Sequence, residues 1–284
     1  MERYAPVHSA GSGAAARGGV KRKASDGLPA RSGRIWTREK LTYLQKYASA
    51  FTTAMAGKWG RLVYVDLLAG PGRDIDPETG REFDGSPLIA LAVTPKFDHL
   101  FLSDNDAGNV AALNARISAA VRDRVTIIQG DCNKVVNDVM GAISAHTLGL
   151  AFVDPQGFEV EFETLAKLAK RQIDLVYLFP SLIGVRRNLK IFLAQQESRI
   201  MDAFWGGQDW REYSDWKPFV SEYRAKLLRA GFKCQDEAVP LFKNTKNTQM
   251  YHLLYFSHHT VGLRIWNGVK RIEPGGQRKL PGLE

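Results

Sequence analysis

Asp66, Asp104, Asp131 and Asp154 each close a short apolar run, and the first is followed by Gly70-Pro71-Gly72. A carboxylate is a double hydrogen-bond acceptor, suited to a sugar diol or an amine. Two glycines one residue apart permit positive φ and let a ligand approach the backbone without a Cβ in the way. Such parts make a nucleotide-type site when they sit at the carboxyl ends of parallel strands. Asp154 continues into Pro155-Gln156-Gly157-Phe158, where a second reactant would meet the first. A single aspartate can simply cap the next helix, and a lone Gly-x-Gly can be an ordinary turn. The reading rests on the four taken together.

Two ligands compete for the glycine turn. A dinucleotide site requires a third glycine three residues on, at the start of a helix; Ile75 stands there instead. S-adenosylmethionine fits better. Asp104 would hold the ribose hydroxyls, Asp131 would accept from the adenine amine, and Asp66 would sit beneath the methionine end with Gly70 and Gly72. Ser86 and Pro87, read as cap and first residue of the next helix, would turn that helix's free amides toward the same turn. With a sulfonium methyl already electrophilic, the protein's task is to position an acceptor. No His/Cys spacing implies a metal.

The elements that must hold these residues follow from periodicity. Residues 61–66, 99–104, 125–131, 148–155 and 173–179 read as strands, apolar enough to be buried on both faces. Leu41, Leu44, Ala48, Phe51 and Met55 mark an amphipathic helix, with Thr37 as its cap. Helical patterns also lie between the later strands. The expected fold is therefore α/β: a mostly parallel, doubly wound sheet with a helical insertion at 184–231 and an antiparallel closing strand among residues 232–257. Residues 73–85 read as a long polar loop beside the site.

The 284 residues carry a net charge of +9. Seven basic and two acidic residues put +5 of it in residues 1–34, which lack any apolar period and read as a disordered basic tail. Residues 35–272 form the expected domain, and 273–284 a loose end. The tail, with Arg186 and Arg187 after the fifth strand, would attract a nucleic-acid backbone. No run is long and apolar enough for a membrane span, no secretory leader is visible, and Cys132 and Cys234, both placed on strands, read as reduced core thiols; a cytoplasmic location is expected.

Two resemblances sharpen this. Asp154-Pro155-Gln156-Gly157-Phe158 resembles the Asp-Pro-Pro-Tyr-type motif of amino-methyltransferases acting on nucleic-acid bases, with Gln156 in place of the second proline and the aromatic displaced to Phe158. That resemblance implies Asp154 and the Pro155 region as acceptors of an exocyclic amine, and Phe158 as a stacking ring. More broadly, Tyr64-Val65-Asp66, Ala69-Gly70-Pro71-Gly72-Arg73, Gly85-Ser86-Pro87-Leu88, Phe152-Val153-Asp154-Pro155-Gln156-Gly157 and Tyr251–Ser257 resemble the three-Cys-motif partner (TcmP) family over about residues 36–271. Membership would imply a bacterial protein with a Rossmann-like methyltransferase fold and a partner with three clustered cysteines, typically radical-SAM-like. A non-catalytic adaptor on the same fold, binding nucleic acid or that partner, stays open.

Overall fold

The computed structural model describes residues 22–236, 241–243 and 249–271. The helix α1 (Ile35–Met55) precedes the first strand of the main sheet and buries Leu41, Leu44, Tyr47, Ala48, Phe51 and Met55. The main sheet comprises β3 (Arg61–Asp66), β6 (His99–Asp104), β7 (Val125–Gln129), β8 (Thr147–Val153), β9 (Ile173–Phe179), β10 (Cys234–Gln235) and β12 (Gln249–Ser257), in the order β10-β12-β9-β8-β3-β6-β7. Strands β7, β6, β3, β8 and β9 run parallel; β12 is antiparallel to both of its neighbours. The short β11 (Leu241–Lys243) pairs with β12 alongside. Every residue of β8 and β9 is buried, as expected of strands covered on both faces.

The helices α3 (Ala107–Arg116), α4 (Cys132–Ala142) and α5 (Phe162–Ala169) connect the parallel strands. After β9, a turn at Pro180, whose carbonyl accepts from the Val185 N–H (2.9 Å), leads to α6 (Arg187–Leu193), α7 (Arg199–Trp205) and α8 (Trp216–Ala230) before β10. In this helical insertion Trp205 and Trp210 are fully buried. The last helix, α9 (Thr260–Lys270), carries Trp266, stacked on Tyr255 of β12 at 4.9 Å. Tyr47 of α1 bonds Asp174 Oδ2 on β9 (2.5 Å) and the Tyr255 hydroxyl (2.6 Å), fixing α1 across the sheet. The doubly wound sheet, helical insertion and antiparallel closing strand are those expected from the sequence.

Several expected details differ. The residues read as a disordered tail divide: residues 1–21 lie outside the described residues, but from Arg22 the chain forms β1 (Arg22–Lys23) and β2 (Pro29–Ser32). The polar segment 73–85 is not a loop. It is a hairpin of β4 (Arg73–Ile75) and β5 (Glu82–Asp84), and β2 lies parallel to β4 with Arg31 opposite Asp74. These four strands make a second small sheet, ordered β1-β2-β4-β5. Composition favours disorder for the first segment and a loop for the second; pairing with each other supplies the hydrogen bonds that neither has alone. Thr37 lies inside α1, whose N-cap position is Arg34 and makes no side-chain capping bond. Gly85, not Ser86, caps α2 (Ser86–Ala92), and Cys132 opens α4 instead of lying on a strand.

Candidate active site

The chain reverses its winding between β3 and β8: from β3 it builds outward through β6 and β7, and then returns to β8 on the other side. Crevices at such switch points, outside the strands' carboxyl ends, are where open α/β sheets take ligands. Asp66 ends β3, Asp104 ends the adjacent β6, and Asp154 follows β8 directly. The glycine turn leaves β3 into this crevice. Gly70 and Gly72 adopt φ +66° and +88°, and the Gly85 N–H donates to the Gly72 carbonyl (2.9 Å), closing the turn against the start of α2.

Asp66 is completely buried, accepting from the Tyr64 hydroxyl (3.2 Å), the Leu68 N–H (3.2 Å) and the Ser86 hydroxyl. Burial pushes its carboxyl up to about 6, against the pull of those bonds and of Arg31. Asp74, from β4, is buried nearby and is likewise raised to about 6 by burial, with Arg31 and Lys40 opposing. Asp104 is saturated. Its Oδ1 accepts from the Asp106 N–H (2.9 Å) and Asn109 Nδ2 (3.1 Å), and its Oδ2 from the Gly70 N–H (2.9 Å) and Arg31 Nη2 (3.0 Å). Asp154 is ion-paired: Lys40 Nζ of α1 lies 2.5 Å from its Oδ2.

The other expected site residues are placed as follows. The turn bearing Asp131 lies beside Asp104, since the Gly130 N–H donates to the Asp104 carbonyl (3.1 Å). The Asp131 carboxylate is exposed and caps α4, accepting from the Asn133 N–H (2.8 Å). Pro155 is buried, and the following turn is tied by Glu159, which accepts from the Gln156 and Gly157 N–H groups (2.5 and 2.7 Å). Phe158 turns into the insertion, edge-on to Phe204 (4.9 Å) and Phe192 (5.6 Å). Its ring is packed against the core there. Arg186 and Arg187 are exposed just past the carboxyl end of β9.

Sequence reasoning missed Arg31, Lys40, Asp74 and Tyr251. Tyr251, at the start of β12, is half-buried, and burial reinforced by the Asp154 charge pushes its phenol up to about 12. Lys40 did leave a signal: it sits four residues before Leu44 and eight before Ala48, on the buried stripe of α1. Arg31 left none. Its segment is held by Arg116 of α3, which pairs with both Asp26 oxygens (2.8 and 2.9 Å) and donates to the Pro29 and Pro71 carbonyls (2.7 and 2.6 Å). One side chain thus clips the N-terminal strands to the glycine turn, and it holds the Asp26 carboxyl down at about 2.

The crevice therefore gathers four carboxylates, Asp66, Asp74, Asp104 and Asp154, around two cations, Arg31 and Lys40. The excess of negative charge suits a ligand with a cationic centre, and the glycine turn lies so close to its neighbours that a Cβ has no room. A Cβ on Gly70 would lie 2.6 Å from Arg31 Cζ, and one on Gly72 would lie 2.9 Å from Leu113 Cδ1.

No protein-family model and no curated protein sequence matches the chain. Solved structures do. A Legionella pneumophila protein of the DUF519 family is 12% identical; the match covers 84% of this chain and 92% of that one, with a TM-score of 0.50, and marks a shared fold. An O-methyltransferase from Bacillus cereus, solved in complex with SAH, is 11% identical over 82% of this chain and 86% of its own, at a TM-score of 0.46. TYW2 of M. jannaschii, in complex with AdoMet, is 11% identical over 78% and 75%, at 0.42. The fold is Rossmann-like α/β. Among the described residues, no helix is long and apolar enough to cross a membrane.

Proposed function

We propose that this chain is an S-adenosylmethionine-dependent methyltransferase acting on an exocyclic amine of a nucleic-acid base. One observation carries the reading: Asp66 with the Gly70–Gly72 turn, Asp104 and Asp154 converge at the carboxyl ends of three adjacent parallel strands, β3, β6 and β8. When bound, the cofactor supplies an electrophilic methyl group on a sulfonium. Asp104 would hold its ribose, the Gly70–Gly72 turn and Asp66 with Ser86 its methionine end, and the turn at Asp131 its adenine. The acidic excess of the crevice favours the sulfonium cation.

Asp154 would then accept from the amine that receives the methyl group. Lys40 fixes that carboxylate through Oδ2, and Oδ1 has no hydrogen-bond partner among the described residues, which leaves it to accept. A base reaching this position must be single-stranded or flipped out. Exposed Arg186 and Arg187 are suited to its phosphates. We place the protein in a bacterial cytoplasm and, on the TcmP resemblance, beside a partner with three clustered cysteines.

Phe158 favours a second reading. Its ring packs on Phe204 and Phe192, so the stacking part of the base-amine motif lacks its aromatic. A Rossmann-like adaptor for nucleic acid or the partner protein would need no such ring. Transfer of labelled methyl groups to single-stranded DNA and RNA separates the two. The methyltransferase reading expects incorporation that falls about 100-fold or more in Asp154→Ala, on the scale of lost positioning. Equal background from both proteins supports the adaptor.

A further inference from the structure

Arg31 is the unexplained cation of the crevice. Its Nη2 donates to Asp104 Oδ2 (3.0 Å) and to the Leu68 carbonyl (3.2 Å), and its guanidinium rests against Gly70. Its Nε and Nη1 have no hydrogen-bond partner among the described residues, and the side chain is 28% exposed. The backbone beneath it is fixed, because β2 pairs with β4 and Arg116 clips Pro29 to Pro71. The head of the side chain can turn while its root stays.

Asp104 has no spare acceptor site: each oxygen already takes two donors. Two of the four donors are backbone N–H groups, and a third belongs to Asn109 of α3. Arg31 is the donor that can leave. A diol bound at Asp104 would take the place of its Nη2, and the released guanidinium would need another anion. The ligand of the methyltransferase reading carries one, the carboxylate of its amino-acid part.

Resting on that reading, we infer that Arg31 is a cofactor-binding residue that exchanges Asp104 for the cofactor's carboxylate, and so selects ligands that carry the amino-acid group. Arg31 holds Asp104 paired in the free protein and the carboxylate paired in the complex, and the crevice never holds an unpartnered guanidinium.

Calorimetric titration of the full chain with S-adenosylhomocysteine and with 5′-methylthioadenosine, which lacks the amino-acid part, tests this. In Arg31→Gln, binding of S-adenosylhomocysteine should weaken about tenfold or more, the scale of a lost charge-assisted hydrogen bond. Binding of 5′-methylthioadenosine should stay the same or tighten, and Arg31→Lys should recover part of the loss. Thermal unfolding of each variant establishes that it is folded. Equal weakening for both ligands makes Arg31 a structural residue and overturns the inference. So does tightening of both, which makes it a simple block, or no change in either. If the unaltered protein binds neither ligand, the methyltransferase reading fails, and the inference with it.

Discussion

Lys40 Nζ and Asp154 Oδ2 meet at 2.5 Å, with the two side chains only 11% and 15% exposed. They are 114 residues apart in sequence, and their contact ties α1 to the end of β8. A pair so buried stabilises little when intact, but breaking it leaves a charge without a partner. Lys40→Met should therefore destabilise the fold by about 3 kcal/mol, read by chemical denaturation. Lys40→Met combined with Asp154→Asn should recover part of the loss. Additive single effects in that double-mutant cycle would show that the two side chains are not coupled.

Asp66 gives a pH signature. Its folded-state carboxyl is raised to about 6, above the ordinary carboxylate value, because it is completely buried. The folded protein thus holds the proton more tightly than the unfolded chain. Burying this group costs stability above pH 6, and the cost disappears as pH falls through 6 toward 4. Asp66→Asn should therefore be more stable than the unaltered protein at pH 8, by about 3 kcal/mol, and the advantage should vanish near pH 4. The difference between the two proteins is the quantity to measure. His252, held near 4 by burial, adds a slope of opposite sign that is common to both.

Arg116 should govern the order of residues 22–34. Its guanidinium reaches Asp26 and the Pro29 and Pro71 carbonyls together, a fork that a lysine cannot reproduce. Arg116→Lys should expose the segment around Gly27 to limited proteolysis while the main sheet still unfolds cooperatively. Cleavage as slow as in the unaltered protein would contradict the clip. Asp26, held down at about 2, stabilises this contact above pH 4 and should lose it as pH falls toward 2.

Gly70→Ala should cost about 1–2 kcal/mol from the left-handed backbone alone, since Gly70 has φ +66°. It should also displace Arg31, whose Cζ the new Cβ would approach to 2.6 Å. In an Arg31→Ala background the penalty should shrink toward the backbone value, measured by thermal unfolding. An unchanged penalty would mean that the guanidinium does not rest on the turn.

The sheet was legible in the sequence because its strands are continuous apolar runs whose partners are the same kind of run. Asp66, Asp104 and Asp154 were legible because an acid at the end of such a run marks the strand's carboxyl end. Their electrostatic partners were not. Arg31 meets Asp104 across 73 residues, and no local period connects them. Residues 73–75 and 82–84 read as loop because three residues with a single apolar one among them, Ile75 or Phe83, carry no strand period; they become strands by pairing with each other and with a segment that composition had assigned to disorder. Phe158 was legible as an aromatic after Asp154, but not its direction, which the ring of Phe204 decides.

Whether the crevice at the ends of β3 and β6 takes S-adenosylmethionine is read directly by calorimetric titration of the purified chain with S-adenosylhomocysteine. Saturable binding is expected at one site per chain, with at least tenfold weaker binding by Asp104→Ala, the order of a lost charge-assisted contact. Absence of heat at millimolar ligand from folded protein, or identical binding by Asp104→Ala, would contradict it.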